Sequence, residues 1–187
     1  MNSDNQSLVK RKTGYSTLLC YRKSVVVYDL TYHFCARFLD KRDRTYDQMI
    51  QAARSGKQNI VEGYVDAATS MEVALKLLNI ARGSLQELIE DYRDYLRTRN
   101  LEIWEQDSDK VKYMRELGKK QDSSDYFINL AENRNDETIA NMAIVLINQA
   151  DVLIYKYIEF ISAKFIKEGG FREKLTRVRI AERNNHR

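Results

Sequence analysis

The sequence predicts an all-α protein, an up-down antiparallel four-helix bundle of long helices. A helical or irregular insertion precedes the last of them, and a short basic helix closes the chain. Three observations predict this. The 187 residues include no proline and only seven glycines. Proline removes a backbone donor and clashes with the preceding turn, so its absence suits long uninterrupted helices. Apolar residues recur at helical spacing in four long stretches, and polar or glycine-containing segments separate them. The chain is long enough for one domain with its own core.

The first helix is expected over 15–39, after a basic flexible segment at 1–14. Leu19, Val26, Leu30, Phe34 and Phe38 recur at spacings of seven and four and form one stripe. A polar turn at 40–43 follows. The second helix is expected over 44–62, with Met49, Ala53, Gly56 and Ile60 on its inner face and Gly63 near its C-terminal end. Thr69 or Ser70 can cap the third helix, with Glu72 in its first turn. From Met71 through Leu78, Leu85 and Tyr92 to Tyr95, this helix carries the most regular apolar stripe in the chain. The insertion at 100–134 holds Trp104 and one or two short helices, such as Ser108 to Leu117 stopped by Gly118, and is expected either to pack as an elaboration or to be partly mobile.

The fourth long helix starts near Asn135 or Asp136 and reaches Lys167. It carries two apolar stripes, one through Ile139, Leu146, Leu153 and Phe160, the other through Ala150, Ile154, Ile158, Ile161 and Phe165. One stripe is enough for a surface helix. The second points to a homo-oligomer interface at Ile154, Ile158, Ile161 and Phe165, in which Ile154→Asp or Ile158→Asp separates the subunits; the alternative is that the 100–134 connection or the tail covers that stripe. Gly169-Gly170 ends the helix. The bundle proper is expected over 15–168 and the basic amphipathic suffix over 169–187.

Net charge is +4, and it is unevenly placed. Residues 1–23 hold five basic groups against Asp4, and residues 171–187 hold six against Glu173 and Glu182, which leaves the body between them acidic. Basic ends of this kind are candidates for polyanion contact. The candidate nucleic-acid-binding residues are Lys10, Arg11 and Lys12 near the start, and Arg44, Arg54 and Lys57 on the second helix. In the suffix they are Arg172, Lys174, Arg177, Arg179 and Arg183. The alternative for Arg54 and Lys57 is pairing with Glu62, Asp47 or acids of adjacent helices.

Catalytic chemistry finds little to build on. Ser55-Gly56-Lys57 lacks the earlier glycine and the following Ser or Thr of a phosphate loop. Glu87, Glu90, Asp91 and Asp94 have no nearby histidine of the kind di-iron bundles use. The only histidines are His33 and His186, so a Ser or Cys nucleophile lacks a base. No metal and no cofactor is expected, and the protein is read as not an enzyme. Cys20 and Cys35 stand fifteen residues apart in one expected helix, about 22 Å along its axis, too far for a disulfide. Free thiols suit a reducing cytoplasm. No window reaches the length of apolar run typical of a membrane span, and the polar start lacks a signal-peptide stretch, so no membrane partner is expected.

The second-helix segment holds Ala52-Ala53, Ser55, Asn59-Ile60 and Glu62-Gly63 in one run. With the long third and last helices, it resembles the bacterial four-helix-bundle proteins encoded within intervening sequences of 23S ribosomal RNA genes. That family includes the accessory protein of diversity-generating retroelements. Many members have an apolar residue and then proline where Gly56 and Lys57 stand here, and a shorter connection before the last helix. This chain therefore looks like a subgroup with a C-terminal suffix. The resemblance implies an up-down bundle assembling as a ring-like homopentamer. For the retroelement protein it also implies a basic surface that engages nucleic acid and a reverse transcriptase. The expected function is non-catalytic binding of structured RNA or DNA by an oligomeric bundle. The alternative is a protein-protein scaffold or adaptor, for example the partner of a reverse transcriptase, with no nucleic-acid contact.

Overall fold

The computed structural model describes residues 14–185, and among them all regular structure is helical. A 3-10 turn at Tyr15–Thr17 leads into α1 (Leu19–Phe38), α2 (Arg44–Asp66) and α3 (Met71–Thr98). Two shorter helices follow, α4 (Asp109–Lys120) and α5 (Ser124–Ala131), then α6 (Asp136–Glu168) and α7 (Phe171–Asn185). The start of each helix from α2 to α6 is capped by the side chain just before it. Asp43, Ser70, Ser108, Ser123 and Asn135 each accept a hydrogen bond from a backbone N–H of the first turn.

The four long helices α1, α2, α3 and α6 each pack against two others. α2 lies along α3, α1 touches α2 and α6, and α3 touches α6. Val26, Leu30 and Phe34 of α1 meet Met49 and Ile60 of α2, Leu78, Leu85 and Leu88 of α3, and Ile139, Leu146 and Ile154 of α6 in one core. The fully buried Tyr92 is not left with an unmatched hydroxyl: it donates to Thr31 Oγ1 at 3.1 Å, and Thr31 donates to the Val27 carbonyl. The Phe34 ring stands edge-on to Tyr92 and Tyr95 at 5.0 and 4.8 Å between centroids. Such pairs add to the area they bury.

Several boundaries differ from the sequence expectation. Leu18 is extended and separates the 3-10 turn from α1. That break resets the helical phase, and Leu19 is left 55% exposed instead of joining the stripe. Gly63 does not end α2, which continues to Asp66. Together with Gly56, it is a point of close approach to α3. A Cβ at Gly56 would lie 2.8 Å from Leu85 Cδ2, and one at Gly63 would lie 3.0 Å from Leu78 Cγ and 3.1 Å from the Ala74 carbonyl oxygen. Overpacking a tight contact costs about 1–3 kcal/mol. Gly56→Val is expected to lower the unfolding free energy by that order, seen as a lower urea midpoint with the unfolding slope unchanged.

Gly118 likewise lies within α4 and is buried against α6, next to Gln149. The segment around it is a packed elaboration, with α4 on α6 and α5 on α1. Phe127 and Ala131 of α5 and Val111 and Met114 of α4 are buried. Cations of α1 fasten the C-terminal ends of both short helices. Lys23 Nζ donates to the carbonyls of Gly118 (2.5 Å) and Gln121 (2.7 Å), and Arg22 pairs with Asp122 at 2.9 Å. Arg37 donates to the Ala131 carbonyl at 3.0 Å. Carbonyls at a helix C-terminus carry the negative end of its dipole, so cations settle there. Two residues counted with the basic N-terminal end, Arg22 and Lys23, thus serve the fold. The extended stretch before α4 is held by Asn141 of α6, which accepts from the Trp104 N–H and donates to the Glu102 carbonyl, both at 2.8 Å.

α6 meets α1, α3 and α4, and these three neighbours occupy both of its apolar stripes over most of its length. By length and composition α6 is apolar enough to cross a membrane, contrary to the sequence expectation. Of its most apolar window, 56% is buried inside this chain, and its apolar character answers to that core.

Candidate nucleic-acid interface

Arg44 and Arg54 are exposed on α2, and neither has an ion-pair partner among the described residues. Lys57 is half-buried. Its Nζ lies 4.0 Å from the centroid of the Tyr28 ring of α1, a cation–π contact that replaces the pairing with Glu62 or Asp47 weighed from the sequence. Arg54 and Lys57 stand at i, i+3 and share a patch. Arg44, ten residues earlier, is about 15 Å away along the axis and starts a separate part of that surface.

In α7, Arg177, Arg179 and Arg183 are exposed, with Arg179 and Arg183 on one side at i, i+4. Lys10, Arg11 and Lys12 lie outside the described residues, as do the side chains of Arg172 and Lys174.

Two of the four residues expected at an oligomer interface are buried inside the chain. Ile154 is 0% exposed and Ile161 is also buried, both within this chain's own core. Neither is available to a second copy of the chain, because both side chains are already enclosed by this chain's own core. Ile158 is half-buried and Phe165 exposed. The most exposed apolar residues of α6 are Phe160, 65% exposed, and Ile166, 83% exposed; Val152, Tyr155 and Phe165 are exposed as well.

The titratable groups weighed for chemistry have structural surroundings. His33 accepts at Nε2 from Arg37 at 3.1 Å. Burial, and then the Arg37 charge, holds its imidazole below the usual histidine range. Glu90 pairs with Arg93 and Asp94 with Arg97, while burial and the neighbouring Asp94 push the Asp91 carboxyl up. Cys20 and Cys35 are free and buried, and burial raises their thiols to about 11 and about 12, which keeps them protonated and unreactive. Among the described residues no group of three or more His, Cys, Asp or Glu could hold a metal ion.

A further feature went unread in the sequence. A groove of about 590 Å³ runs along α6 from Asn141 to Lys156, on the side facing α4. Val111, Val145 and Leu153 are among its apolar walls, and Trp104 closes one end. Arg115, Lys119, Lys120 and Lys156 line it as well, and Asp122 is its one acidic lining residue among those described. It is assembled from four stretches far apart in the chain, so no local pattern could have announced it. The Lys119-Lys120 pair closing α4 was the nearest signal. No family model matches this chain, and neither a curated protein nor a solved structure matches it.

Proposed function

We propose that this chain is a non-catalytic, oligomeric four-helix-bundle protein that binds structured RNA or DNA through basic surfaces. In this reading α1, α2, α3 and α6 form the up-down bundle, with α4–α5 inserted before the last member and α7 as a suffix. The closed circuit of contacts among the four long helices and the short turns at 39–43 and 67–70 support it, since short connections favour antiparallel neighbours. The observation that carries the binding reading is the pair of exposed α2 arginines, Arg44 and Arg54, with no ion-pair partner among the described residues. The exposed arginines of α7 extend the same chemistry. Phosphate contact is mainly electrostatic and multiplies when a surface is repeated in an oligomer.

The resemblance to the intervening-sequence proteins adds the homopentamer and a bacterial origin. Phe160 and Ile166 at the far end of α6 supply apolar surface for self-association. Buried free thiols suit a cytoplasmic setting. A second reading, a protein-binding scaffold without nucleic-acid contact, is favoured by the same exposed residues together with Val178 and Ile180 of α7.

Fluorescence anisotropy with a labelled structured RNA at low and high salt tests the first reading. Binding at low salt that weakens steeply as salt rises is expected. Arg44→Glu with Arg54→Glu should lower affinity about tenfold or more and flatten the salt dependence. An unmutated protein that leaves the RNA unbound at low salt rejects the proposal, and the scaffold reading then stands.

A further inference from the structure

We infer that the groove between α4 and α6 binds a small amphipathic anion, an acidic headgroup carried on an aliphatic chain. This goes beyond nucleic-acid binding and does not rest on it, since none of the residues lining the groove belongs to α2 or α7.

The size suits one small molecule, because ligand sites typically enclose about 300–1,000 Å³. From Asn141 to Lys156 the lined length of α6 is about 22 Å, and the two ends differ in character. At the Asn141 end the walls are Ile103, Trp104, Val111 and Ile144; the one cation there, Arg93, is already paired with Glu90. At the other end Lys119, Lys120 and Lys156 stand beside the apolar Leu19, Val152 and Leu153, with Arg115 part-way along α4. Lys119 is paired with Glu116. Arg115, Lys120 and Lys156 have no ion-pair partner among the described residues.

Two local details make the basic end receptive to an anion. Asp122 is neutralised by Arg22. The C-terminal carbonyls of α4, whose dipole would repel negative charge, are covered by Lys23. An elongated ligand with one acidic end satisfies both halves of the groove: its chain covers the aliphatic walls, and its headgroup meets Lys120 and Lys156. A neutral lipid leaves the lysines without a partner, and a cationic one is repelled. Single-stranded nucleic acid prefers a run of stacking rings, whereas Trp104 is the one ring among the residues lining this groove.

Trp104 is the chain's only tryptophan, so its fluorescence reports groove occupancy directly. The full-length protein is titrated with dodecanoate below its micelle-forming concentration. Parallel titrations use dodecylammonium, inorganic phosphate and a single-stranded oligothymidylate. A saturable change in Trp104 emission with dodecanoate is expected, and none with dodecylammonium or phosphate. Lys120→Glu with Lys156→Glu is expected to weaken dodecanoate binding by about tenfold or more. Both lysines are exposed, so the helical circular dichroism of that variant should match the parent and separate lost binding from lost folding. Arg54→Glu should leave the dodecanoate titration unchanged, which keeps the outcome independent of the RNA experiment. The inference is overturned by a silent dodecanoate titration, by equal affinity for dodecylammonium, or by a folded double variant that binds as the parent does. A tighter response to oligothymidylate than to dodecanoate also overturns it and assigns the groove to nucleic acid.

Discussion

Ile154→Asp is expected to unfold the protein. The side chain is 0% exposed and belongs to the chain's main apolar core. Aspartate there would leave a carboxyl in an apolar site with no group to pair with. The lost isoleucine packing alone is worth about 2–5 kcal/mol. Together these consume most of the roughly 5–15 kcal/mol that keeps a domain folded. Thermal melting followed by circular dichroism should show the cooperative transition lost or shifted far down. Ile166→Asp is the contrasting case. At 83% exposure it should leave the melting temperature within a few degrees of the parent and act only on association, as seen by light scattering. An Ile154→Asp protein that melts like the parent would contradict the burial described above.

Lys23→Ala is the second large effect. Lys23 is 4% exposed, and its Nζ is shared between two carbonyls at the end of α4. Burial lowers its pKa from the ordinary lysine value, with the nearby Asp122 acting in the opposite sense. Removing the amine leaves both carbonyls without this donor, and each unsatisfied buried group costs about 1–3 kcal/mol. A loss of about 2–4 kcal/mol is expected, concentrated on the insertion. In urea, Trp104 emission should therefore change before the helical signal of the parent bundle does. Coincident transitions in the variant, at the parent's midpoint, would show that Lys23 contributes nothing to holding α4.

How far the sequence could be read depended on which physical signal was local. Long-period stripes marked the long helices because Leu78, Leu85 and Tyr92 repeat along one helix, and burial follows from that repeat. The Ser70 cap was readable because its hydrogen bond spans three residues; Ser108 and Asn135, read only as helix starts, cap over the same short span. Glycine was ambiguous. Gly63 and Gly118 were read as stops, although both are sites of close approach inside helices, because a missing Cβ serves either purpose. Lys23 looked like part of a basic tail, since its acceptors lie 95 and 98 residues away. The second stripe of α6 suggested another subunit because the α4–α5 elaboration, which takes up part of that helix's surface, had no strong periodic signature of its own. The groove beneath it was out of reach for the same reason.

The unequal lengths of the helices carry one more implication. At about 1.5 Å per residue, α6 extends about 50 Å and α1 about 30 Å. The last buried side chain on α6 among the described residues is Ile161; those described after it are half-buried or exposed. Standing up and reaching out are therefore written in different stretches of one helix. Selection or an engineer can rewrite the reaching part, residue by residue, without disturbing what keeps the rest upright.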